Sequence, residues 1–371
     1  MENKGRPKNF MKTLGRIIKD LFSFYPKLLP ITLLFIVINA VVTSIPAIFQ
    51  QKIISLIETV YKEGNWNAVS SDILRLVGIL LVFYTISLFC AYCYNMNMAT
   101  ITQGSLKQYR QKLFNHMQDL PIAFFDQNKT GDIMSHYTND IDAMRQFISI
   151  CIPQAISSLI TVITVVSIML YYSLWLSLMV LLGSFFMLRI IKVIGGKSSH
   201  YFVRQQEELA RSEGFIQEMM NGQKVVKVFN HEEKSIQDFD RYNDELFRVS
   251  NEANRYSNVI MPILNNIGNI LYVLVAIVGG ALLAFHVPNI SISGLGLSVA
   301  IVIPFLNMTK QFAGVIGQIS SEVNAVVMGV AGADRVYQMI DEEVEEDEGK
   351  VCLVNCSHEG DRLVESNKRT E

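Results

Sequence analysis

Two long stretches of the chain, residues 146–188 and 256–309, contain no Asp, Glu, Lys or Arg. A membrane-crossing helix takes about 20 mostly apolar residues, so each stretch has room for two crossings joined by a tight turn. Two more apolar runs lie closer to the N-terminus. We therefore predict an all-α membrane protein of six long transmembrane helices, with spans at residues 28–49, 76–94, 152–172, 175–194, 260–285 and 292–312.

Basic residues cluster beside particular ends of the predicted spans. Seven Lys and Arg residues precede the first span and nine lie between the fourth and fifth, whereas the turns after the third and fifth spans have none. Because Lys and Arg accumulate on the cytoplasmic side of membrane proteins, we predict a multi-pass protein of the cytoplasmic membrane with both termini cytoplasmic. The long connections at residues 95–148 and 195–259 are predicted to be cytoplasmic as well.

Residues 9–25 have the pattern of an amphipathic helix. Apolar and basic side chains recur at helical spacing on different faces of this segment. Such a helix is suited to lie at the inner interface of the membrane, as an elbow before the first span. An ordinary cytosolic helix is the alternative.

The two long connections also have a helical pattern, and each has turn residues near its middle. At about 1.5 Å per residue, helical extensions of 20–25 residues would reach roughly 30–40 Å from the bilayer before the chain turns back. The first turn contains Pro121, Phe124 and Phe125, and the second contains Phe215 and Gly222. Apolar side chains so far from the membrane indicate either a docking surface for a soluble partner or packing between the cytoplasmic helices.

Composition agrees with a membrane protein that has sizeable polar parts. Half of the 371 residues are hydrophobic and 18% are charged, against about 25% charge in soluble domains. The formal net charge of −2 gives no indication of a nucleic-acid partner. Cys90 and Cys93 form a C-x-x-C pair inside an apolar run, where zinc or redox chemistry would require thiolates in hydrocarbon. Cys352 and Cys356 have no His at metal-binding spacing, so we predict reduced thiols and no metal site.

Three segments resemble motifs of ABC exporters. The first intracellular loop of that family is similar to FFDQNKTGDIMSHYTNDIDAMRQFI at 124–148, and the second to EGFIQEMMNGQKVVKVFNHEEK at 213–234. The end of the sixth family helix resembles VMGVAGADRVYQMIDEEVEE at 327–346. The three segments occur in the family's order and spacing, and the resemblance covers roughly residues 10–346.

The resemblance implies a transmembrane domain that works in the lipid bilayer as a homo- or heterodimer with a second transmembrane subunit. It implies coupling helices near residues 122–128 and 212–221, which dock on nucleotide-binding domains or a separate ABC ATPase subunit. ATP and Mg would be bound there, with no cofactor bound by this chain, and would drive inward- and outward-facing states. The residues implied in this coupling are Phe124, Phe125, Asp126, Gly131, Asn139, Asp140, Phe215, Glu218, Gly222, Lys227 and Phe229.

The chain departs from the family pattern in two places. His136 stands where the family usually has Arg, which would weaken a salt bridge between helices. No G-x-x-x-x-G-K-[ST] phosphate loop occurs, so we expect no catalytic residues here and leave the chain's standing as an enzyme open. The implied domains are a cytoplasmic N-terminus with the elbow helix at 1–27, an exporter transmembrane domain at 28–325, and a helix end and linker at 326–371, truncated before a nucleotide-binding domain.

These features predict the translocation domain of an ATP-driven exporter that works by alternating access. The main alternative is a truncated, inactive remnant of a half-transporter. An ion-coupled secondary transporter fits less well, because such proteins place ionisable residues within the membrane. Uncharged amides in the spans would either face a cavity for a neutral, cationic or amphipathic cargo or link helices by hydrogen bonds. The candidate cavity residues are Asn39, Asn265, Asn266, Asn269 and Asn307.

Overall fold

The computed structural model describes residues 10–63, 66–345, 349, 354–359 and 362–365. Within them the chain is almost entirely helical, which confirms the all-α prediction. The exception is an antiparallel hairpin of two short strands, β1 (Cys356–Glu359) and β2 (Arg362–Glu365). The helices are α1 (Phe10–Phe24), α2 (Leu28–Val42), α3 (Pro46–Glu63), α4 (Trp66–Gln118), α5 (Ile122–Gln127), α6 (Thr130–Ser135), π1 (His136–Asp140), α7 (Ile141–Gln146), π2 (Phe147–Cys151), α8 (Ile152–Tyr172), α9 (Leu174–Asn221), α10 (Gln223–Val228), α11 (Glu232–Ala284) and α12 (Val299–Ile340).

Six helical stretches of the described chain are long and apolar enough to cross a membrane, as the charge pattern predicts. Several helices continue far past the thickness of a bilayer. Helices α4 and α11 have 53 residues each, α9 has 48 and α12 has 42. At about 1.5 Å per residue they are roughly 60–80 Å long, against a hydrocarbon core of about 30 Å. The helical extensions predicted for the two long connections are therefore confirmed.

The first and sixth predicted spans have different bounds in the structure. The first is interrupted after α2, and α3 starts at Pro46, because proline lacks the N–H that a helix interior needs but fits a first turn. The sixth starts at Val299, not at 292. The residues before it form a loop that pairs with the α8–α9 turn, through hydrogen bonds from Leu174 N to Ile290 O at 2.8 Å and from Ser293 N to Tyr171 O at 3.0 Å.

The buried apolar side chains fall into two cores. The elbow core joins α1, α4, α7, π2 and the end of α12, around Ile17, Leu106, Tyr109 and Ile148. The hairpin core joins α8, α9, α11 and the start of α12, around Phe305. Helix α12 enters both cores and connects the two halves of the chain.

The two long connections contribute unequally to these cores. We call residues 95–148 the first limb and residues 195–259 the second limb. The first limb supplies many members of the elbow core. The second limb consists of the ends of α9 and α11 with α10 between them, and no described residue of it belongs to either core. It is held by contacts between its own two helices, such as the stacking of Tyr201 on Tyr256 with ring centroids 5.5 Å apart.

Candidate functional site

The tip of the first limb is the short helix α5. Pro121 has an extended backbone conformation (ψ 150°) and lies between the end of α4 and the first residue of α5. Asn128 ends α5, and both its backbone N–H and its side-chain Nδ2 donate to the carbonyl of Phe124, at 3.1 and 2.8 Å. The short helix predicted at 122–128 is therefore present. Ile122 is 74% exposed and Phe125 is 41% exposed, so α5 presents an apolar surface.

Among the other residues singled out in the first limb, Asp126, Gly131 and Asn139 are exposed. The amide of Asn139 donates to Ser135 Oγ at 3.1 Å, within its own helical segment. These three positions lie on the surface of α5, α6 and π1, where a partner could contact them.

Asp140 is different, because it is buried. Its carboxylate accepts bonds from Arg335 Nε at 3.0 and 3.1 Å and from the Nη2 atom of the same side chain, and it lies 2.8 Å from His136 Nδ1. The bond to Asp140 raises the pKa of Arg335. A buried carboxylate needs such partners, since leaving it unpaired is costly. Asp140 and Arg335 of α12 form the helix-to-helix ion pair that His136 was expected to weaken. This ion pair fixes π1 to α12.

The tip of the second limb lies later in the chain than predicted. Residues 212–221 were expected to form the coupling helix, but they continue α9 without a break to Asn221. The short helix is α10, which Gly222 precedes and Asn230 follows in the left-handed conformation (φ +49°). Residues 212–221 contain Glu, Gln, Phe and Met, which suit a helix interior, whereas Gly and Asn accept the backbone angles that end one.

The residues singled out in the second limb have different surroundings. Phe215 packs between α9 and α11, with its ring centroid 5.1 Å from that of Tyr242. Glu218 is exposed, and its carbonyl accepts the N–H of Gly222 at 2.8 Å. Lys227 Nζ donates to Glu232 Oε1 at 2.8 Å.

Phe229 completes an apolar surface at this tip. Its side chain is 74% exposed, and it lies beside the exposed Val225 and Val228 of α10. A cavity of about 510 Å³ adjoins this helix, lined mostly by apolar side chains of α9, α10 and α11. Both limbs therefore end in a six-residue helix that carries exposed apolar residues.

The end of α12 is tied to the first tip. The backbone N–H of Glu345 donates to the carbonyl of Asp119 at 2.8 Å, and His116 Nε2 lies 3.0 Å from the carbonyl of Glu342. Asp119 lies two residues before Pro121, where the chain turns into α5. The residues that follow α12 thus run directly against the base of the first tip.

A polar cluster anchors α1 to the same end of α12. Arg16 makes an ion pair with Asp341, with Nη2 to Oδ1 at 2.7 Å, and this bond lowers the pKa of Asp341. Asp20 accepts bonds from the hydroxyls of Tyr337 at 2.8 Å and Tyr109 at 3.1 Å. Burial raises the pKa of Tyr337 and keeps the hydroxyl protonated as a donor. Sequence reasoning missed this cluster, because its partners are up to 325 residues apart and no local pattern links them.

Two of the five candidate cavity asparagines connect helices. Asn39 Oδ1 in α2 accepts a bond from Ser87 Oγ in α4 at 2.7 Å. Asn307 Nδ2 in α12 donates to Gln50 Oε1 in α3 at 3.1 Å. For these two residues, the structure matches the alternative of hydrogen bonding between helices.

The other three asparagines, Asn265, Asn266 and Asn269, are exposed on α11. They lie on the face opposite Leu264 and Leu271, which are buried in the hairpin core. Asn266 Nδ2 donates to the carbonyl of Pro262 at 2.8 Å. The three therefore form a polar strip on the surface of this helix.

No metal centre is found in the part of the chain that the structure describes. No group of three or more His, Cys, Asp or Glu side chains there could hold an ion. Cys90 and Cys93 form no disulfide bond with each other or with another described cysteine. Cys352 lies outside the described residues.

Comparison with known proteins gives the family. The model of the ABC transporter transmembrane region matches residues 28–305. The chain belongs to this family. The match confirms the resemblance seen in the two intracellular loops, and it makes the protein a membrane component of an ABC transporter.

Several ABC transporter relatives are similar to this chain. The "Uncharacterized ABC transporter ATP-binding protein YfiC" of Bacillus subtilis is 29% identical over 76% of the chain and 45% of its own length. The "Fatty acid ABC transporter ATP-binding/permease protein" of Mycobacterium tuberculosis is 27% identical over 76% of the chain and 43% of its length. The "ATP-dependent lipid A-core flippase" of Hahella chejuensis is 28% identical over 90% of the chain and 54% of its length. The chain thus spans about half the length of these relatives.

Proposed function

We propose that this chain is the translocation domain of an ATP-driven exporter of the cytoplasmic membrane. Its two limb tips, α5 and α10, would transmit movements of nucleotide-binding domains that hold ATP and Mg. Alternation between inward- and outward-facing states would then carry the substrate outward. Both termini lie in the cytoplasm in this arrangement, in accord with the basic residues before the first span and in the second limb.

The observation that carries this proposal is the pair of tips. Each is a six-residue helix bounded by chain turns, and each lies at the far end of helices that extend well past a bilayer. Exposed aromatic side chains, Phe125 at one tip and Phe229 at the other, are suited to fill pockets on a soluble partner. The contact between Glu345 and Asp119 places the residues after α12 against the first tip as well.

The partner in the membrane is proposed to be a second transmembrane subunit of the same kind. The second limb supports this assignment, because it exposes apolar side chains along its length, among them Val203, Ile236 and Phe247. A single exposed apolar residue is common, but several along one helix pair are expected to be covered by a partner. The composition of the purified complex would show whether the second subunit is an identical copy of this chain.

The substrate is proposed to be amphipathic. Relatives are named for a fatty acid and for lipid A-core, and both molecules combine a hydrocarbon part with a polar part. The strip of Asn265, Asn266 and Asn269 offers uncharged hydrogen-bonding groups on α11, within the span predicted at residues 260–285. Such amides are suited to a polar head group without requiring one sign of charge.

The test of coupling removes one tip side chain at a time. Phe125→Ala and Phe229→Ala are introduced into the transporter completed by its ATPase, in inside-out vesicles, and ATP-dependent uptake of a fluorescent phospholipid is measured. Removing an anchoring aromatic at an interface costs about 2 kcal/mol, so we expect uptake to fall at least about tenfold while the amount of folded protein stays the same.

Phe285→Ala is the matched control for both variants. This side chain is 80% exposed, but it follows the other end of α11, away from the tips. Uptake should be unchanged in this variant. Normal uptake by both tip variants would rule out the coupling role, and a complete transporter that hydrolyses ATP without moving any lipid or amphiphile would favour the inactive remnant.

A further inference from the structure

A cavity of about 490 Å³ lies beside the turn between α8 and α9. Because α9 runs from this turn at Ser173 to the second tip, the turn marks the opposite end of the spans. Ile48, Gln51 and Lys52 line the cavity from one face of α3, and Tyr171 lines it from α8 together with its neighbours on the same face. The cavity is therefore a gap between the first and third spans, away from both limb tips.

The loop before α12 fixes the rim of this cavity. Asn289 Nδ2 donates to the carbonyl of Tyr172 at 2.8 Å and to that of Leu295 at 2.9 Å, and both of these residues line the cavity. The bond from Ser293 N to Tyr171 O is a further link between the loop and α8. The rim is thus formed without a ligand, which reduces the ordering that binding would require.

Lys52 gives the cavity a positive charge. Among the lining residues that the structure describes, no other side chain is charged, so an anion would meet no repulsion there. The Lys52 side chain is exposed, and within the described ranges it has no carboxylate partner. Gln51 and Tyr171, which also line the cavity, carry an amide and a phenol that can donate hydrogen bonds. These groups together suit an anionic head group.

Polarity changes along the cavity. The stretches α2–α3 and π2–α8 run in the same direction, since each passes from the elbow core to the hairpin core. Lys52 lies one helical turn beyond Ile48 in that direction, and Tyr171 lies one turn beyond Ile168. The end nearest the α8–α9 turn is therefore cationic and aromatic, and the isoleucines line the end that lies deeper among the spans.

We propose that this cavity binds a single-chain amphipathic anion. Its head group pairs with the Lys52 ammonium and accepts a hydrogen bond from Tyr171, and its chain lies against Ile48 and Ile168. The volume is within the range of about 300–1,000 Å³ that is usual for small-molecule sites, which suits one alkyl chain better than the two chains of a phospholipid. The site goes beyond the proposed function, because binding there needs neither ATP nor the limb tips.

Photochemical labelling of the purified full chain tests the site. The protein is held in nanodiscs of phosphatidylcholine, which has no net charge, and is exposed without ATP to dodecyl sulfate that carries a diazirine at the end of its chain. Mass spectrometry locates the adduct, which we expect beside Ile48 or Ile168. Lys52→Gln removes the charge, so the concentration for half-maximal labelling should rise about tenfold or more, whereas Lys52→Arg should stay within about threefold of the wild type.

Two further variants separate the site from general effects. Ser167→Trp should abolish labelling, because it fills the cavity from an exposed position whose hydroxyl bonds only within its own helix, to the carbonyl of Ile163 at 2.7 Å. Arg75→Gln is the matched control, since Arg75 is an exposed basic residue directly before the span predicted at 76–94 and does not line the cavity. Labelling should be unchanged in this variant. Elution of each variant as the wild-type species shows that it is folded.

Competition identifies the ligand class. Dodecanoate should displace the probe, and dodecyltrimethylammonium, which has the same chain length but the opposite charge, should not. Equal labelling of wild type and Lys52→Gln, or equal displacement by the two amphiphiles, would overturn the proposal. Displacement by phosphatidylglycerol in the nanodisc as strong as that by dodecanoate would also overturn it, and would assign the cavity to a phospholipid.

The labelling assay is independent of the transport assay. If labelling depends on Lys52 and the complete transporter moves no substrate, the site stands and the proposed export function fails. If transport occurs and the cavity is not labelled, the export function stands and the site fails.

Discussion

The two limbs have similar lengths, and each ends in a six-residue helix, but they are held in different ways. The first limb buries Leu106, Tyr109, Leu113 and other side chains against α1 and α12. In the second limb, Val249 and Ala253 are the buried hydrophobic residues among those described. Because apolar burial is the main favourable term in folding, the first limb is an integral part of this chain's own fold. The second limb is a two-helix extension whose outer surface is available to another molecule.

The ion pairs of the two limbs show the same difference. In the first limb, Asp140 is buried and is bonded by both His136 and Arg335, so the pair joins separate helices. In the second limb, Arg248 pairs with Glu245 on one helix, Arg204 and Lys227 pair with Glu245 and Glu232 across the limb's own helices, and none of these side chains is as buried as Asp140. Buried charges contribute through the penalty of leaving them unpaired, whereas exposed pairs contribute little.

The largest expected effect comes from breaking the buried ion pair between Asp140 and Arg335. Arg335→Ala leaves the Asp140 carboxylate without its guanidinium partner, and we expect unfolding stability to fall by about 3 kcal/mol. Arg248→Ala in the second limb is the matched change, and it should cost less than about 0.5 kcal/mol. Thermal unfolding in detergent measures both. Similar losses in the two variants would show that the limbs are held alike and would contradict the comparison.

An added methyl group is the next largest change. A Cβ at Gly329 of α12 would overlap the side chain of Phe147, whose Cγ would lie 2.9 Å away. Gly329→Ala should therefore destabilise the protein by about 2 kcal/mol, as overpacking does in a filled core. At Gly214 of the second limb, no atom lies within 4 Å of such a Cβ. Gly214→Ala should stabilise α9 by about 0.5–1 kcal/mol, since alanine favours helix more than glycine does.

The two glycine substitutions are expected to change stability in opposite directions, and this contrast tests the difference between the two limbs. Chemical denaturation of both variants in one detergent gives the two values side by side. Loss of stability in Gly214→Ala of the chain alone would mean that the second limb is packed more tightly than its open surface indicates.

The smallest expected effect concerns the ion pair that docks α1. Arg16 lowers the pKa of Asp341, so the pair adds stability above the unfolded-state pKa of that carboxyl, and the contribution is lost as the pH falls through the lowered folded-state pKa. Both side chains are substantially exposed, so Asp341→Asn should cost only about 0.5 kcal/mol at neutral pH. The difference between variant and wild type should shrink as the pH falls below the ordinary pKa of an aspartate, and vanish below the lowered folded-state pKa of Asp341. A difference that grows with acidity would assign the effect to another group.

The sequence predicted the parts of the fold that local patterns encode. The absence of charge over 146–188 and 256–309 predicted four spans, of which the last begins at Val299 and not at 292. The turn at Pro121 together with the family resemblance placed the first tip. The second tip lies nearer the C-terminus than predicted, because most of residues 212–221 are compatible with a helix and the turn depends on Gly222 and Asn230.

Contacts between distant segments could not be predicted in the same way. Nothing in the sequence pairs Asp140 with Arg335, or Asp20 with Tyr337, because these residues meet only after α12 packs against the first limb and α1. For the same reason, the sequence left open whether the amides in the spans face a cavity or form hydrogen bonds between helices. Asn39 and Asn307 bond to other helices, whereas the α11 asparagines remain on the surface, and only the packing of the helices distinguishes them.

The unbroken course of α9 through the second limb has a mechanical consequence. The 27 residues from Gly195 to Asn221 form about 40 Å of stiff rod beyond the part of the helix that is clamped in the hairpin core. A tilt of about 10° at that clamp would swing α10 through roughly 7 Å, more than one helical turn. The rod acts as a lever that pivots in the membrane. A large movement of the tip would therefore produce a small rotation of the spans, with a correspondingly larger force.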